Sequence, residues 1–205
     1  MSVEGLVYVI DDDPAMRDSL DFLLESAGLK ARLFESAVSF LETLPALGPG
    51  CIVSDVRMPN LDGLELLKRL RDSNKSFPTI IMTGHGDIPL AVEAMKLGAI
   101  DFIEKPFEDD RLIGTIQAAL SGAAQRQKGD ALDADVASRI ASLSPRERQV
   151  LDGLVAGLSN KLIARDYDIS PRTIEVYRAN VMTKMQASSI SELVRFAIRG
   201  GLLKD

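Results

Sequence analysis

The first 121 residues alternate short, wholly apolar runs with longer stretches in which apolar residues recur at helical spacing. Leu6-Val7-Tyr8-Val9-Ile10 opens the series and predicts a strand buried on both faces. Asp13-Pro14 then supplies a helix N-cap followed by proline at the first helical position. Met16, Leu20, Leu23, Leu24 and Ala27 follow on one face, and Gly28 ends the helix. The alternation repeats four times. Strands are predicted at about Ala31–Phe34, at Cys51–Ser54, at Thr79–Met82 and at Asp101–Ile103. Between and after them, helices are marked by Val38, Phe40, Leu41 and Leu44, by Leu64–Leu70, by Ile88, Val92 and Met95, and by Leu112, Ile116, Ala119 and Leu120. Five strands alternating with five helices predict a doubly wound α/β fold, a five-stranded parallel sheet covered on both faces. In such sheets, sites form beyond the carboxyl ends of the strands.

The pattern changes after Ser121. Residues 122–140 have little to bury and read as a linker, with a possible extension of the fifth helix and another helical turn over Ala134–Ser142. From Leu143 onward the chain is all helical. Ser144-Pro145-Arg146-Glu147 is a capping box, and Val150, Leu151, Leu154 and Val155 follow at helical spacing. Ser159 or Asn160 caps a second helix, Ser170-Pro171 starts a third, and Leu193, Val194, Ala197 and Ile198 mark a fourth. The second and third are joined by a short turn, the arrangement of a helix-turn-helix. The expected organisation is a domain over 4–121, a linker over 122–140, and an all-α four-helix domain over 141–205.

Charge reinforces that division. Residues 141–205 carry ten Lys+Arg and seven Asp+Glu, a net +3, and the preceding 140 residues a net −9. Two domains with different partners are implied, although +3 permits nucleic-acid binding without demanding it. The N-terminus lacks a basic and long apolar signal, and no run is long enough to cross a bilayer, so a cytoplasmic location is the expectation. The lone cysteine, Cys51, sits in an apolar run and reads as a core residue rather than half of a disulfide.

The candidate chemistry lies where the sheet rule directs. Asp11, Asp12 and Asp13 follow the first strand, Asp55 the third, Thr83 the fourth and Lys105 the fifth. Each alone fits a cap, a turn or a solvated loop; the set is what is specific. Close carboxylates repel one another, and a divalent cation relieves that repulsion. Oxygen-only ligands with room for water and phosphate suit Mg²⁺. A carboxylate beside the metal can attack phosphorus to form an acyl phosphate, while an ammonium offsets charge and a hydroxyl bonds the product. Two rival readings exist: a phosphatase using Asp11 of the Asp-x-Asp run as nucleophile, and a flavodoxin-like sensor of a flavin phosphate. The second would want a Gly/Ser/Thr-rich loop where three aspartates stand. His85, the lone histidine, reads as an exposed loop residue without partners for a soft metal.

Ile10-Asp11-Asp12, Ser54-Asp55-Val56-Arg57-Met58-Pro59, Met82-Thr83-Gly84 and Glu104-Lys105-Pro106-Phe107 resemble the flavodoxin-like receiver domains of response regulators. The resemblance implies that Asp55 is the phosphoacceptor, and that Asp11, Asp12, Asp55 and the Arg57 carbonyl hold Mg²⁺. It further implies that Thr83 and Lys105 contact the phosphoryl group, that Phe102 is a switch aromatic moving with Thr83, and that the Lys105-Pro106 bond is cis. Leu143-Ser-Pro-Arg-Glu147-Arg-Gln-Val-Leu151, Ser159-Asn-Lys-Leu-Ile-Ala164 and Arg172-Thr-Ile-Glu-Val-Tyr177 resemble the LuxR-type DNA-binding domain. Together the chain is similar to the NarL/FixJ class of two-component transcription regulators. That likeness implies a sensor histidine kinase, double-stranded promoter DNA, a phosphorylation-dependent homodimer and RNA polymerase as partners. It implies no enzymatic role beyond Mg-dependent self-phosphorylation.

On the third helix of this region, Ile174, Tyr177, Val181 and Met185 can pack inward. Arg172, Thr173, Glu175, Val176, Arg178, Ala179 and Lys184, with Lys161 on the preceding helix, are the expected DNA-binding residues. Glu175, Val176 and Ala179 face the bases by position. Glu175 and Ala179 depart from the basic residues common there, and an acidic side chain can instead accept from cytosine. Within the class, the loop Gly84-His85-Gly86-Asp87 and the run Phe102–Phe107 resemble an activator of nitrogen-fixation genes.

Overall fold

The computed structural model describes residues 5–73, 77–84, 88–121 and 130–202. His85, its neighbours Gly86 and Asp87, and the stretch 122–129 lie outside the described residues. The chain divides into two compact units, one of residues 1–86 and 97–126 and one of residues 87–96 and 127–205.

In the first unit, β1 (Leu6–Ile10), β2 (Lys30–Phe34), β3 (Cys51–Asp55), β4 (Thr79–Thr83) and β5 (Asp101–Glu104) form one parallel sheet. Its strand order is β2-β1-β3-β4-β5. The helices of this unit are α1 (Pro14–Ser26), α2 (Ala37–Thr43), α3 (Gly63–Asp72) and α5 (Asp109–Leu120). The predicted fourth helix also forms, as α4 (Ile88–Lys96), and is grouped with the second unit.

The apolar run of β1 is explained by the two-residue period of a strand. Val7 and Val9 enter one core with Leu20 and Leu24 of α1 and Leu112 and Ile116 of α5. Tyr8 and Ile10 point into the other, with Phe40 of α2 and Leu66 and Leu70 of α3. Each such side chain contributes about 1.5–3 kcal/mol on burial, so a polar residue anywhere in the strand would be costly. Tyr8 stacks edge-on against Phe40 and Phe77, and its hydroxyl donates to the Gly48 carbonyl at 2.9 Å. Cys51 is fully buried, and that burial pushes its thiol up to about 12.

The expected four helices of the second unit are α7 (Pro145–Val155), α8 (Asn160–Asp166), α9 (Pro171–Met185) and α10 (Ile190–Arg199). Each begins at a serine N-cap: Ser144, Ser159, Ser170 and Ser189. In every case the hydroxyl satisfies a backbone N–H that would otherwise lack a helical partner. A further helix, α6 (Asp130–Ala141), comes directly before them in the chain, beginning inside the stretch read as linker. It exceeds the single turn expected there because Val136 and Ile140, one turn apart, both bury in the common core. That core otherwise joins Val150, Leu151 and Leu154 of α7, Ile163 of α8, Ile174, Val181 and Met185 of α9, and Leu193 and Ala197 of α10.

Candidate functional site

The strand order reverses direction between β1 and β3, so the crevice beyond their carboxyl ends is a natural binding position. Asp11 directly follows β1 and Asp55 is the last residue of β3. Both are buried, at 2% and 8% exposure. Lys105, immediately after β5, reaches both: its Nζ donates to Asp11 Oδ2 at 2.9 Å and to Asp55 Oδ1 at 2.6 Å. The second oxygen of Asp55 accepts from the Arg57 amide at 2.6 Å. Asp11 Oδ1 accepts from the Asp13 amide at 2.9 Å, and the Asp11 carbonyl accepts from Arg17 at 2.7 Å. Three strand ends and two loops therefore aim their polar groups at one point.

Burial raises the Asp11 carboxyl above its ordinary range, more than the Lys105 hydrogen bond lowers it, and the nearby Asp55 adds to the rise. Burial alone would lower the Lys105 ammonium, but its bonds to Asp55 and Asp11 outweigh that and hold it above its ordinary value. The site is thus a place where two carboxylates share a cation.

The remaining residues fall as follows. Thr83, the last residue of β4, is fully buried, and its carbonyl accepts from the Lys105 amide at 2.7 Å. Phe102 is buried within β5. The Lys105-Pro106 bond is cis. Asp13 caps α1 by accepting from the Ala15 amide. Asp12 is exposed, and among the described residues no three acidic, histidine or cysteine side chains are grouped closely enough to hold a metal ion. The donor set still fits magnesium in kind. It is oxygen-only, and Asp11 and Asp55 already converge on one cation. At Arg57, the amide is what engages Asp55.

Gly63 is part of this site, although its sequence position suggests only a helix start. A Cβ there would lie 2.6 Å from the Asp55 carbonyl and 3.0 Å from Val56 Cα, both backbone atoms. Its own amide donates to the Val56 carbonyl at 2.9 Å, pinning α3 behind the acceptor loop. Gly63→Ala is expected to destabilise the chain by about 1–3 kcal/mol through overpacking. Urea unfolding checks this; an unchanged midpoint would mean that the loop yields freely.

On α9, Ile174, Val181 and Met185 are buried and Tyr177 is partly buried. Arg172, Glu175, Val176 and Ala179 are exposed, Val176 at 58%, and Lys161 is exposed on α8. Arg178 and Thr173 are half-buried, and the Thr173 hydroxyl lies 2.8 Å from the capping hydroxyl of Ser170. Lys184 donates to Glu147 Oε2 at 2.7 Å. Glu147 is itself buried and closes the capping box of α7, accepting from the Ser144 amide at 2.7 Å. The Lys184 hydrogen bond, followed by the Ser144 amide, holds the Glu147 carboxyl below its usual range. Lys184 therefore braces α9 against α7, a task that its place among outward positions did not suggest.

Comparison with known proteins agrees with both halves. Residues 7–117 match the response regulator receiver domain, and residues 141–197 match the bacterial regulatory proteins of the luxR family. Over 205 residues the chain is 67% identical to the transcriptional regulatory protein FixJ of Bradyrhizobium diazoefficiens, covering 100% of each. It is 51% identical over 197 residues to FixJ of Rhizobium meliloti, covering 95% of this chain and 96% of the relative. The crystal structure of full-length FixJ from B. japonicum is 68% identical and superposes with a TM-score of 0.57, covering 98% of both chains. The chain belongs to the FixJ class of response regulators, phosphoacceptor transcription factors in which a receiver domain precedes a LuxR-type helix-turn-helix domain.

Proposed function

We propose that Asp55 accepts a phosphoryl group from a sensor histidine kinase, and that its phosphorylation promotes pairing of two copies and promoter binding. The observation that carries this is the single Lys105 ammonium bonded to both Asp11 and Asp55 at the carboxyl edge of the sheet. In the transfer, an Asp55 oxygen forms the bond to phosphorus as the bond to the kinase's histidine nitrogen breaks. The Arg57 amide fixes the orientation of the Asp55 carboxylate. Lys105 then neutralises the added charge, and the Thr83 hydroxyl bonds the phosphoryl oxygens. Asp11, Asp12, Asp55 and the Arg57 carbonyl would hold Mg²⁺, which when bound offsets charge on the transferring group.

Thr83 and Phe102 respond together, shifting an existing equilibrium between two receiver conformations and remodelling the receiver surface around β5 and α5. A two-fold pair through that surface places two DNA modules on neighbouring half-sites. The receiver spans 4–121 and the DNA-binding domain 141–205. On that domain Lys161, Arg172, Thr173, Glu175, Val176, Arg178, Ala179 and Lys184 form the DNA surface. The bound pair engages RNA polymerase and activates nitrogen-fixation-type genes, a reading supported by the full-length likeness to FixJ.

The chemistry is tested by incubating the protein with acetyl phosphate and Mg²⁺, reducing the acyl phosphate with hydride, and locating the reduced residue by peptide mass. Reduction at Asp55 is expected. Reduction at Asp11 would replace the regulator with a phosphatase-type nucleophile.

A further inference from the structure

Arg139 lies on α6, outside residues 141–197 that match the luxR family, yet it is tied to the far end of α9. Its guanidinium donates to the Met185 carbonyl at 2.9 Å, across 46 residues of sequence. Met185 is the last residue of α9, where the helix gives way to Gln186 in the left-handed conformation. Carbonyls in the last turn of a helix lack helical partners, and a cation there also meets the negative end of the helix dipole. The same guanidinium pairs with Asp135 one turn back on α6 and lies over the Phe196 ring of α10, 5.7 Å from its centroid. Its Nε is buried without a hydrogen-bond partner. A buried unsatisfied donor is costly, so the placement rests on the other bonds. Val136 and Ile140 dock α6 beside it, close enough that a Cβ on Gly200 would fall 2.4 Å from Ile140 Cδ1.

From this geometry we infer that Arg139 is a positioning residue for DNA recognition, fixing the carboxyl end of α9 and so the angle at which its exposed face meets the groove. α6 is then a working part of the DNA-binding unit. Arg139 points into the bundle, with its side chain only 19% exposed, so it acts through Met185 and not by touching phosphate. The inference rests on the reading of α9 as the DNA-reading helix.

The test uses the full chain phosphorylated with acetyl phosphate and Mg²⁺. Affinity is measured for a duplex that the parent protein selects from a random pool, and for an unselected duplex of equal length. Arg139→Met keeps the hydrocarbon stem and removes the donors. It is expected to weaken binding to the selected duplex about tenfold, the worth of one base contact, and to leave the unselected duplex nearly unaffected. Amide exchange at Gln186 and Ala187 is expected to quicken. Arg139→Lys, which restores charge and one donor, is expected to recover part of the discrimination. If Arg139→Met does not fold, Arg139→Lys decides alone, with an expected loss of selected-over-unselected discrimination of about threefold, the worth of one hydrogen bond. Equal weakening on both duplexes would reduce Arg139 to a charge effect. A lower urea midpoint with unchanged discrimination would reduce it to a strut of the fold, and either result overturns the inference. Failure of the parent to select any duplex would overturn the reading of α9 itself, and this inference with it.

Discussion

Asp55→Asn is expected to abolish phosphate uptake from a small phosphodonor, together with every phosphodonor-dependent gain in dimer fraction and DNA affinity. The substitution preserves shape, and the amide oxygen can still accept from the Arg57 amide as Asp55 Oδ2 does. What it removes is the anionic oxygen that faces Lys105 at 2.6 Å, the atom available for attack on phosphorus. Linking two DNA modules through a receiver pair raises affinity through effective concentration, by roughly 10²–10⁴-fold when both modules engage. The parent protein is therefore expected to show a large response to acetyl phosphate and Mg²⁺, while Asp55→Asn stays flat. Radiolabelled phosphate incorporation, sedimentation and DNA titration measure the three steps separately. An equal rise of DNA affinity in the variant would defeat the mechanism at its centre, because the signal would then bypass Asp55.

Much of the receiver was legible because its determinants are local. A run such as Leu6–Ile10 announces a doubly covered strand by being apolar at both parities. Once five strands are recognised, topology alone carries residues 94 positions apart, Asp11 and Lys105, to one edge. Gly63 escaped notice because its constraint comes from the Asp55 carbonyl, a backbone atom that no side-chain pattern reveals. The Lys184–Glu147 bond escaped for a related reason: it spans 37 residues, and Glu147 already had a sufficient local explanation in the capping box. In α6 the local signal is thin. Among its described side chains, Val136 and Ile140 are the buried apolar anchors, and they hold the helix by docking. Asp12 differs again. It is adjacent to Asp11 in sequence, but it lies at the bend just beyond β1, where Asp11 is buried and Asp12 is exposed.

These features bear on how the DNA-binding half works. Its four serine caps and one capping box fix where each helix starts. Two long side chains then tie the carboxyl-terminal half of α9 to its neighbours: Lys184 to α7 through Glu147, and Arg139 from α6 to the Met185 carbonyl. The exposed residues Arg172, Glu175, Val176 and Ala179 lie nearer the amino end. Core packing of Ile174, Val181 and Met185 holds the helix along its length, and these two polar ties are added at its carboxyl end. If this face is the one that meets DNA, as proposed, its one cation, one anion and two small apolar groups suit discrimination among bases better than general attraction to phosphate.

Lys105→Met is expected to destabilise the receiver and to slow its phosphorylation. It leaves two buried carboxylates facing each other without the cation they share. Breaking a buried pair by removing one partner costs about 3–5 kcal/mol, and the 19% exposure of Lys105 reduces the expectation to about 2 kcal/mol at neutral pH. The loss carries a pH signature. The Asp11 carboxyl already titrates above its ordinary value of 3.8, chiefly through burial, so this group favours the fold below 3.8 and loses that contribution as pH rises through its folded pKa. Removing Lys105 takes away the hydrogen bond that restrains the rise, and the penalty above 3.8 grows. The Lys105 ammonium titrates above 10.5, so its own contribution is complete below that value and fades as pH climbs through its folded pKa. The stability gap between parent and variant is therefore expected to be small in strong acid, to widen above 3.8, to hold through neutrality, and to close above 10.5. Urea midpoints measured across that range check the shape, and a gap that does not vary with pH would show that Lys105 serves packing alone. The same variant is expected to accept phosphate about 10²-fold more slowly, the usual loss when one group stabilising developing charge is removed. Stability and transfer would then report one interaction from opposite sides, since the cation that holds the two carboxylates together is the one proposed to face the phosphoryl group.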